Sequence, residues 1–117
     1  MSYDLNTVEE KIVQWSHDRG ILQNGKAITQ CLKLMSELGE LADNLAKGKN
    51  CEDDIGDCFV VLTNIARLEG TSLVKCANIA YEDIKDRKGF LNANGNFIKS
   101  TDAAYAQLLM EFEATND

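Results

Sequence analysis

Length, composition and charge place the chain among soluble, globular, single-domain proteins. Its 117 residues suffice for one domain with a sizeable core, and 44% hydrophobic with 26% charged residues argue against disorder. The formal net charge of −7 argues against a nucleic-acid-binding protein and against adhesion to an anionic membrane. No apolar run approaches the roughly 18 residues of a membrane span, and no signal-peptide pattern is present, so we expect a cytoplasmic location.

The cysteines and the single histidine do not form the pattern of a zinc site. Cys31, Cys51, Cys58 and Cys76 lack the C-x-x-C spacing typical of zinc ligands, and His17 is the one histidine in the sequence. We therefore expect four reduced, structural thiols, and a surface histidine that takes no part in acid–base chemistry.

Apolar residues recur at helical spacing through most of the chain, and glycines mark the helix ends. Asn6 followed by Glu9 forms a capping-box pattern, which predicts a first helix that ends near Asp18. Residues 21–25 are predicted to form a connection, and further helices are predicted over residues 26–47, 50–69 and 71–87. Two of these helices carry apolar stripes, consisting of Ile28, Cys31, Met35, Leu38, Ala42 and Leu45, and of Ile55, Cys58, Phe59, Leu62, Ile65 and Ala66.

The C-terminal part of the sequence changes character. Asn94-Gly95 lies between two short apolar segments and favours a two-residue hairpin turn near residues 90–99. A last helix over residues 103–113 suits docking either on its own bundle or across a subunit interface. The sequence therefore predicts an all-α fold, an antiparallel bundle of about four to five helices with a short C-terminal β-hairpin. A single domain of residues 1–117 is expected.

Two pairs of acidic residues fall on consecutive predicted helices. Glu37 and Glu40 are neighbours on one helical face, and Asp54 and Asp57 repeat this spacing on the next helix. The turn at Gly48 makes the two helices an antiparallel pair, so the two carboxylate pairs lie opposite each other. Four crowded carboxylates repel unless a cation neutralises them. Ligation by oxygen alone suits a hard ion, with Mg2+ first and Mn2+ as a substitute.

The acidic pairs also have a simpler interpretation. Acids three residues apart on a helix are usually a solvated face, and a single pair would favour that interpretation. Two facing pairs favour a metal site instead. The polar strips that carry them, which border the apolar stripes, consist of Gln30, Lys33, Glu37, Glu40 and Asn44 on one helix and of Asp54, Asp57, Val61 and Asn64 on the other.

The same residues resemble a known family. Ser36-Glu37-Leu38-Gly39-Glu40-Leu41, followed by Asp54-Ile55-Gly56-Asp57, is similar to the MazG-like all-α nucleotide pyrophosphatases, whose pattern is E-E-x-x-E on one helix and E-x-x-D on the next. Residues 80–99 resemble the short, single-domain members carried by phages and bacteria, and the resemblance spans residues 10–99. Ser36 and Asp54 stand where the family pattern has glutamates.

The resemblance implies a reaction and an assembly. The expected reaction is Mg2+-dependent hydrolysis of a nucleoside triphosphate between the α- and β-phosphates, which yields monophosphate and pyrophosphate. Glu37, Glu40, Asp54 and Asp57 match the family's metal ligands and are the expected catalytic centre. A homodimer or homotetramer is implied, with a pocket lined by more than one subunit. The departures at Ser36 and Asp54 bear on the rate and on the number of ions.

Other residues are candidates for contacts with the nucleotide. Lys85 and Arg87 are expected to bind phosphate, although basic residues also suit a helix C-terminus. Lys33 is the next candidate for phosphate binding, although it could form only an ion pair with Glu37. Asn64 and Tyr81 resemble family positions near the nucleotide. Trp15 could stack on the base, or belong to the core or to an interface.

Three other functions compete with this interpretation. A di-iron bundle is disfavoured, because such sites use Glu-x-x-His pairs and the acidic pairs contain no histidine. A non-catalytic metal-binding or regulatory module of the same fold stays open because of Ser36. An enzyme of the same class that acts on a damaged or signalling nucleotide also stays open, since the sequence does not choose a base or a sugar.

Overall fold

The computed structural model describes residues 4–116 and is mostly helical. Its elements, in chain order, are α1 Leu5–Asp18, α2 Ile21–Asn24, α3 Ala27–Ala46, α4 Glu52–Leu68, α5 Leu73–Ile84, β1 Gly89–Leu91, β2 Phe97–Lys99 and α6 Tyr105–Asn116. The predicted all-α class with a short β-hairpin is confirmed. The described residues form six helices because Ile21–Asn24, expected as a connection, makes one helical turn.

The start of α1 differs from the capping-box prediction. The Asp4 carboxylate caps the helix, accepting hydrogen bonds from the Asn6 N–H at 3.2 Å and from the Thr7 hydroxyl at 3.0 Å. The predicted cap at Asn6 is therefore wrong, since Asp4 supplies the acceptor two residues earlier. Glu9 is buried and accepts hydrogen bonds from the N–H groups of Leu73 at 2.6 Å and of Val74 at 3.3 Å, so it caps α5 instead of α1.

The helices α3 and α4 form the predicted antiparallel pair. Gly48, with φ of +68°, follows the end of α3 and allows the chain to reverse. Near this turn Asn44 donates a hydrogen bond to Asp54, and further along the pair Asn64 donates one to Gln30. Residues 30 and 44 thus meet residues 64 and 54 in reverse order, as antiparallel packing requires.

The faces that pack in this pair differ from the apolar stripes of the sequence. The apolar stripe of α3 is exposed, with Ile28 at 67%, Met35 at 65% and Leu45 at 58% of their full accessibility. The partly buried face of α3 is made instead of Ala27, Gln30, Leu34, Glu37, Leu41 and Asn44. On α4 the predicted apolar stripe is buried in part, since Cys58 and Ala66 are buried whereas Ile55 and Leu62 are exposed. The strip predicted as polar contributes Val61 and Asn64, which are buried. The carboxylates therefore lie along the seam between the two helices.

The buried interior of the described residues is small and polar. Cys58, Val61 and Ala66 are its buried apolar residues. Glu9, Ser16, Thr63 and Asn64 are buried as well, and the Ser16 hydroxyl donates a hydrogen bond to the Asn64 side chain. Since Asn64 also donates to Gln30 at 3.2 Å, one polar chain connects α1, α4 and α3.

The described chain divides into two compact units, one that reaches to Asn78 and one that begins at Ile79. In the second unit β1 and β2 pair antiparallel, with Phe90 opposite Ile98. The ring of Phe90 lies 4.9 Å from that of Phe112 and 5.8 Å from that of Tyr105, between ring centroids. A single functional domain over residues 1–117 stays a prediction.

The hairpin loop is one residue longer than predicted. The Gly95 N–H donates to the Asn92 carbonyl at 3.0 Å, so Ala93 and Asn94 occupy the centre of the turn and Gly95 follows with φ of +82°. The Asn92 side chain stabilises this loop by accepting hydrogen bonds from the N–H groups of Asn94 and Asn96. The expectation of a two-residue Asn94-Gly95 turn is therefore wrong.

The last two helices begin or end a few residues from their predicted bounds. Helix α5 starts after Ser72, whose hydroxyl accepts a hydrogen bond from the Lys75 N–H at 3.1 Å, and it ends at Ile84 instead of near Arg87. Helix α6 begins at Tyr105. Within residues 4–116 no helix combines the length and apolarity that a membrane crossing requires. The cytoplasmic location stays a prediction.

Candidate metal centre

Three of the four predicted acidic residues come together at the seam between α3 and α4. Glu37 and Glu40 project from α3, and Asp57 projects from α4. One carboxylate oxygen from each lies within 4.8 Å of the others. Two helices fixed in antiparallel register thus bring acids from separate segments to one point, which spacing on a single helix could not achieve.

Asp54, the fourth predicted acid, lies beside this group but outside it. Its carboxylate accepts a hydrogen bond of 2.8 Å from the side-chain amide of Asn44. The negative charge of Asp54 nevertheless raises the pKa of both Glu40 and Asp57, which shows that it is close to them. We call Glu37, Glu40, Asp54 and Asp57 the acid cluster.

The acid cluster is electrostatically strained. The charge of Glu37 is the largest cause of the raised pKa of Glu40, and desolvation and a hydrogen bond to Glu37 act in the same direction. Desolvation is the largest cause of the raised pKa of Asp57, followed by the charges of Asp53, Glu37 and Asp54. A divalent cation among these oxygens would remove the repulsion.

The positive charge of Lys33 opposes this repulsion. Its ammonium lies 3.7 Å from the Glu37 carboxylate, one helical turn away, and its charge lowers the pKa of Asp57. The Glu37 side chain is 15% exposed, whereas that of Lys33 is 59% exposed. The predicted ion pair is therefore present, and the ammonium is accessible to a ligand at the cluster.

Two nearby residues were not among the predicted site residues. Asp53 adds negative charge next to Asp57, and its spacing of four residues from Asp57 on a helix would have signalled this. Lys11 lies with Ile12, Trp15, Asp57 and Val60 around a groove of about 440 Å3 between α1 and α4. We call it the Trp15 groove. No local signal in the sequence indicates that α1 packs next to Asp57.

Trp15 is accessible in this chain. Its side chain is 46% exposed, so the alternative that it belongs to the core of the chain is wrong. The guanidinium of Arg19 lies 4.3 Å from the centre of the indole and donates to the Trp15 carbonyl at 3.1 Å. Arg19 therefore holds the ring by a cation–π contact, while the indole lines the groove.

Asn64 is buried, and its side chain is engaged within the chain. It accepts from Ser16 and donates to Gln30, and it is 3% exposed. These bonds give it a packing role among three helices. Its contact with a nucleotide stays a prediction.

The remaining predicted residues belong to the second unit. Tyr81 is 58% exposed on α5. Lys85 pairs with Glu82 at 2.6 Å, and Arg87 pairs with Asp83 at 3.1 Å. Both cations are thus matched by acids of their own segment, and their binding of phosphate stays a prediction.

The cysteines lie as free thiols in different surroundings. Cys58 is buried, Cys31 is exposed on α3, and the other two are half-buried. Burial, followed by the charges of Glu37, Asp57 and Asp54, raises the pKa of the Cys58 thiol. The raised pKa disfavours the thiolate form of Cys58, and the three groups that come close together all offer carboxylate oxygen.

The chain is similar to a phage protein of unknown function. The chain is 41% identical over 66 residues, 55% of its length, to an uncharacterised 18.2 kDa protein from the rep-hol intergenic region of Haemophilus phage HP1. The match covers 40% of that protein's length. No protein-family model matches the chain, and no solved structure gives a significant match.

Proposed function

We propose that this protein is a Mg2+-dependent nucleoside triphosphate pyrophosphohydrolase of the MazG-like kind, which hydrolyses (d)NTP to (d)NMP and pyrophosphate. The observation that carries the proposal is the convergence of Glu37, Glu40 and Asp57, whose oxygens lie within 4.8 Å of one another. The resemblance over residues 10–99 supplies the reaction class, because metal-dependent pyrophosphatases of that family use acids at these positions.

The donor set suits magnesium. All four members of the acid cluster offer carboxylate oxygen, the ligand type of hard cations, and Mn2+ would be a substitute. The Asn44 amide fixes the carboxylate of Asp54, which stands where the family pattern has a longer glutamate. Repulsion from Glu37 is the largest cause of the raised pKa of Glu40, and repulsion from neighbouring acids adds to desolvation in raising the pKa of Asp57; a cation would offset this repulsion.

The chemistry adds water across one phosphoanhydride bond. A bound metal ion would supply positive charge that offsets the charge of the phosphate oxygens. Carboxylate oxygens of the cluster accept hydrogen bonds from the attacking water and orient it, and the exposed Lys33 ammonium adds a donor for phosphate. The water oxygen bonds to the α-phosphorus, and the bond from that phosphorus to the α–β bridging oxygen breaks. Pyrophosphate leaves with the bridging oxygen, and the water releases a proton.

The exposed apolar surface supports the proposed assembly into a homodimer or homotetramer. Six apolar residues form the exposed stripe of α3, which we call the α3 stripe: Ile28, Cys31, Met35, Leu38, Ala42 and Leu45. Among the described residues, by contrast, three apolar side chains are buried. Contiguous apolar surface of this kind usually marks a protein interface. A second subunit over this surface would enlarge a core that one chain leaves small.

A specific observation also favours a second candidate, a non-catalytic metal-binding or regulatory module. Ser36 is exposed on α3 and stands where the family pattern has its first glutamate. A chain that lacks that carboxylate could bind a cation and a nucleotide without turnover. This candidate predicts tight Mg2+ or Mn2+ binding and no product.

The test separates products and uses matched variants. We would incubate the protein with ribo- and deoxyribonucleoside triphosphates and Mg2+, and resolve the products by ion-exchange chromatography. Monophosphate and pyrophosphate are expected. Glu40→Gln and Asp57→Asn should each lower kcat about 100-fold or more, as loss of charge stabilisation at a reacting phosphate does. Asp43→Asn, which removes the same charge from α3 at the exposed ion pair with Lys47, should leave kcat unchanged.

Other products or no turnover would contradict the proposal. Diphosphate with orthophosphate would show that the acid cluster cleaves a different bond. Metal binding without any turnover would favour the non-catalytic module. An equal loss of activity in Asp43→Asn would show that general charge, and not the acid cluster, determines the rate.

A further inference from the structure

The Trp15 groove is continuous with the acid cluster through a shared residue. Asp57 belongs to the group of three close carboxylates and also lines the groove, together with Lys11, Ile12, Trp15 and Val60. The groove therefore borders the acid cluster, and a molecule whose phosphates lie at the cluster could extend into it. Its volume of about 440 Å3 is within the range of small-molecule sites.

The walls of the groove suit a flat, mostly apolar ring. Trp15 offers an aromatic ring that the Arg19 guanidinium contacts at 4.3 Å from its centre, and Ile12 and Val60 add aliphatic surface. Base–aromatic stacking contributes roughly 1–3 kcal/mol per base and tolerates every base, because each has a π-face. Stacking alone would therefore bind a nucleobase without choosing among bases.

Lys11 is the residue of the groove that can distinguish one nucleobase from another. It lies one helical turn before Trp15 on α1, so the two side chains share one face. Within residues 4–116 it forms no ion pair with an acid. An ammonium has three N–H donors and no acceptor. It can therefore donate to the O4 carbonyl of uracil or thymine and to the O6 carbonyl of guanine, whereas adenine presents an amino group, a donor, at the corresponding position.

We propose that the Trp15 groove binds the nucleobase of the substrate and that Lys11 favours uracil, thymine and guanine, which present an O4 or O6 carbonyl oxygen, over adenine, which presents an amino group there. This inference rests on the proposed function for the phosphates at the acid cluster. The groove itself is defined by residues of α1 and α4, so it can be tested without turnover.

The single tryptophan makes a direct test possible. Because Trp15 is the one tryptophan in the sequence, its fluorescence reports on this groove alone. We would titrate the protein with uridine, guanosine and adenosine, and with their monophosphates in the presence of Mg2+, and follow the emission. Uridine and guanosine compounds should quench saturably, with affinities about tenfold higher than adenosine compounds, as expected for one charge-assisted hydrogen bond.

Variants separate the two contributions. Lys11→Met, which keeps the length and removes the charge, should abolish the preference while quenching persists. In turnover assays it should bring kcat/KM for UTP and GTP down to the value for ATP. Lys75→Met removes an exposed lysine from α5 and should change neither the preference nor kcat/KM.

The outcomes distinguish failure of the groove from failure of the proposed function. Turnover without any change in Trp15 emission would place the base elsewhere and overturn the groove. An unchanged base preference in Lys11→Met would overturn the role of Lys11. Saturable, Lys11-dependent quenching by nucleosides without turnover would support the groove and overturn the pyrophosphohydrolase.

Discussion

Glu37 and Glu40, three residues apart on α3, repel each other strongly enough that the charge of Glu37 is the largest cause of the raised pKa of Glu40. Asp54 and Asp57 add to this repulsion from the facing helix. An arrangement of like charges destabilises the folded protein unless a ligand offsets it. The acid cluster is therefore a place where stability and metal binding oppose each other.

Replacing Glu40 with glutamine should stabilise the metal-free protein at neutral pH. The amide keeps the size of the side chain and removes a charge that three neighbouring acids oppose. We expect Glu40→Gln to raise the midpoint of thermal unfolding, measured by circular dichroism in the presence of a chelator. The same variant should lose the stabilisation by Mg2+ that we expect of the unmodified protein. Asp43→Asn, outside the cluster, should reproduce neither effect. A lower midpoint for Glu40→Gln would show that the carboxylate stabilises the fold.

The stability of the metal-free protein should fall as the pH rises through the raised pKa values of Glu40 and Asp57. Their ordinary values are 4.5 and 3.8, and the folded protein raises both. Above the ordinary values the folded state binds more protons than the unfolded state, so the free energy of unfolding decreases with increasing pH until both groups are ionised. Under the proposed function, magnesium should reverse this decrease, because it would bind the ionised carboxylates.

Denaturant unfolding between about pH 4 and about pH 8, with and without Mg2+, would measure this dependence. Other carboxylates titrate in the same range. The informative quantity is therefore the difference in the free energy of unfolding between the protein and its Asp57→Asn variant. That difference should be largest at neutral pH without metal. Identical pH profiles for the two proteins would contradict the electrostatic account of the cluster.

The sequence predicted α3, α4 and their pairing because local signals dominate there. Gly48 and Gly70 follow the two helices with positive φ, and the apolar periodicity between them is long. The antiparallel turn then brings Glu37 and Asp57 together, as expected. Asp54 was less predictable, because its carboxylate is engaged by Asn44 and lies beside the group of three.

What the sequence did not predict depends on contacts between distant segments. Periodicity identifies the apolar face of α3, but the face that packs on α4 in this chain is the one with Glu37 and Leu41. Glu9 has the spacing of a local cap, yet it binds backbone groups 64 residues further along the chain. Lys11 reaches the site only because α1 packs on α4. None of these relationships is visible within a window of one helix.

Removing the Glu9 carboxylate should destabilise the start of α5. The side chain is 3% exposed and accepts hydrogen bonds from the N–H groups of Leu73 and Val74. Glu9→Ala should lower the free energy of unfolding by about 2–3 kcal/mol, as expected for lost hydrogen bonds to a charged group, and Glu9→Gln should cost less because one oxygen acceptor remains. Urea unfolding measures both values.

The neighbouring Glu10 provides the matched control. It is exposed on the same helix, so Glu10→Ala should change the free energy of unfolding by less than about 0.5 kcal/mol. Hydrogen exchange should locate the effect of Glu9→Ala at the amides of Leu73 and Val74. Equal losses in Glu9→Ala and Glu10→Ala would contradict a specific cap.

Placing a charge in the α3 stripe should disrupt the proposed assembly. Met35 is 65% exposed in the single chain, so Met35→Glu removes little packing from the chain itself. If a second subunit covers the stripe, the buried glutamate would be unpaired and the subunits should separate. Analytical ultracentrifugation should then show a dimer or tetramer for the unmodified protein and a monomer for Met35→Glu.

Thr29→Glu adds the same charge to an exposed position on another face of α3 and should leave the assembly intact. A monomeric unmodified protein, or an assembly that survives Met35→Glu, would show that the stripe is not the interface between subunits.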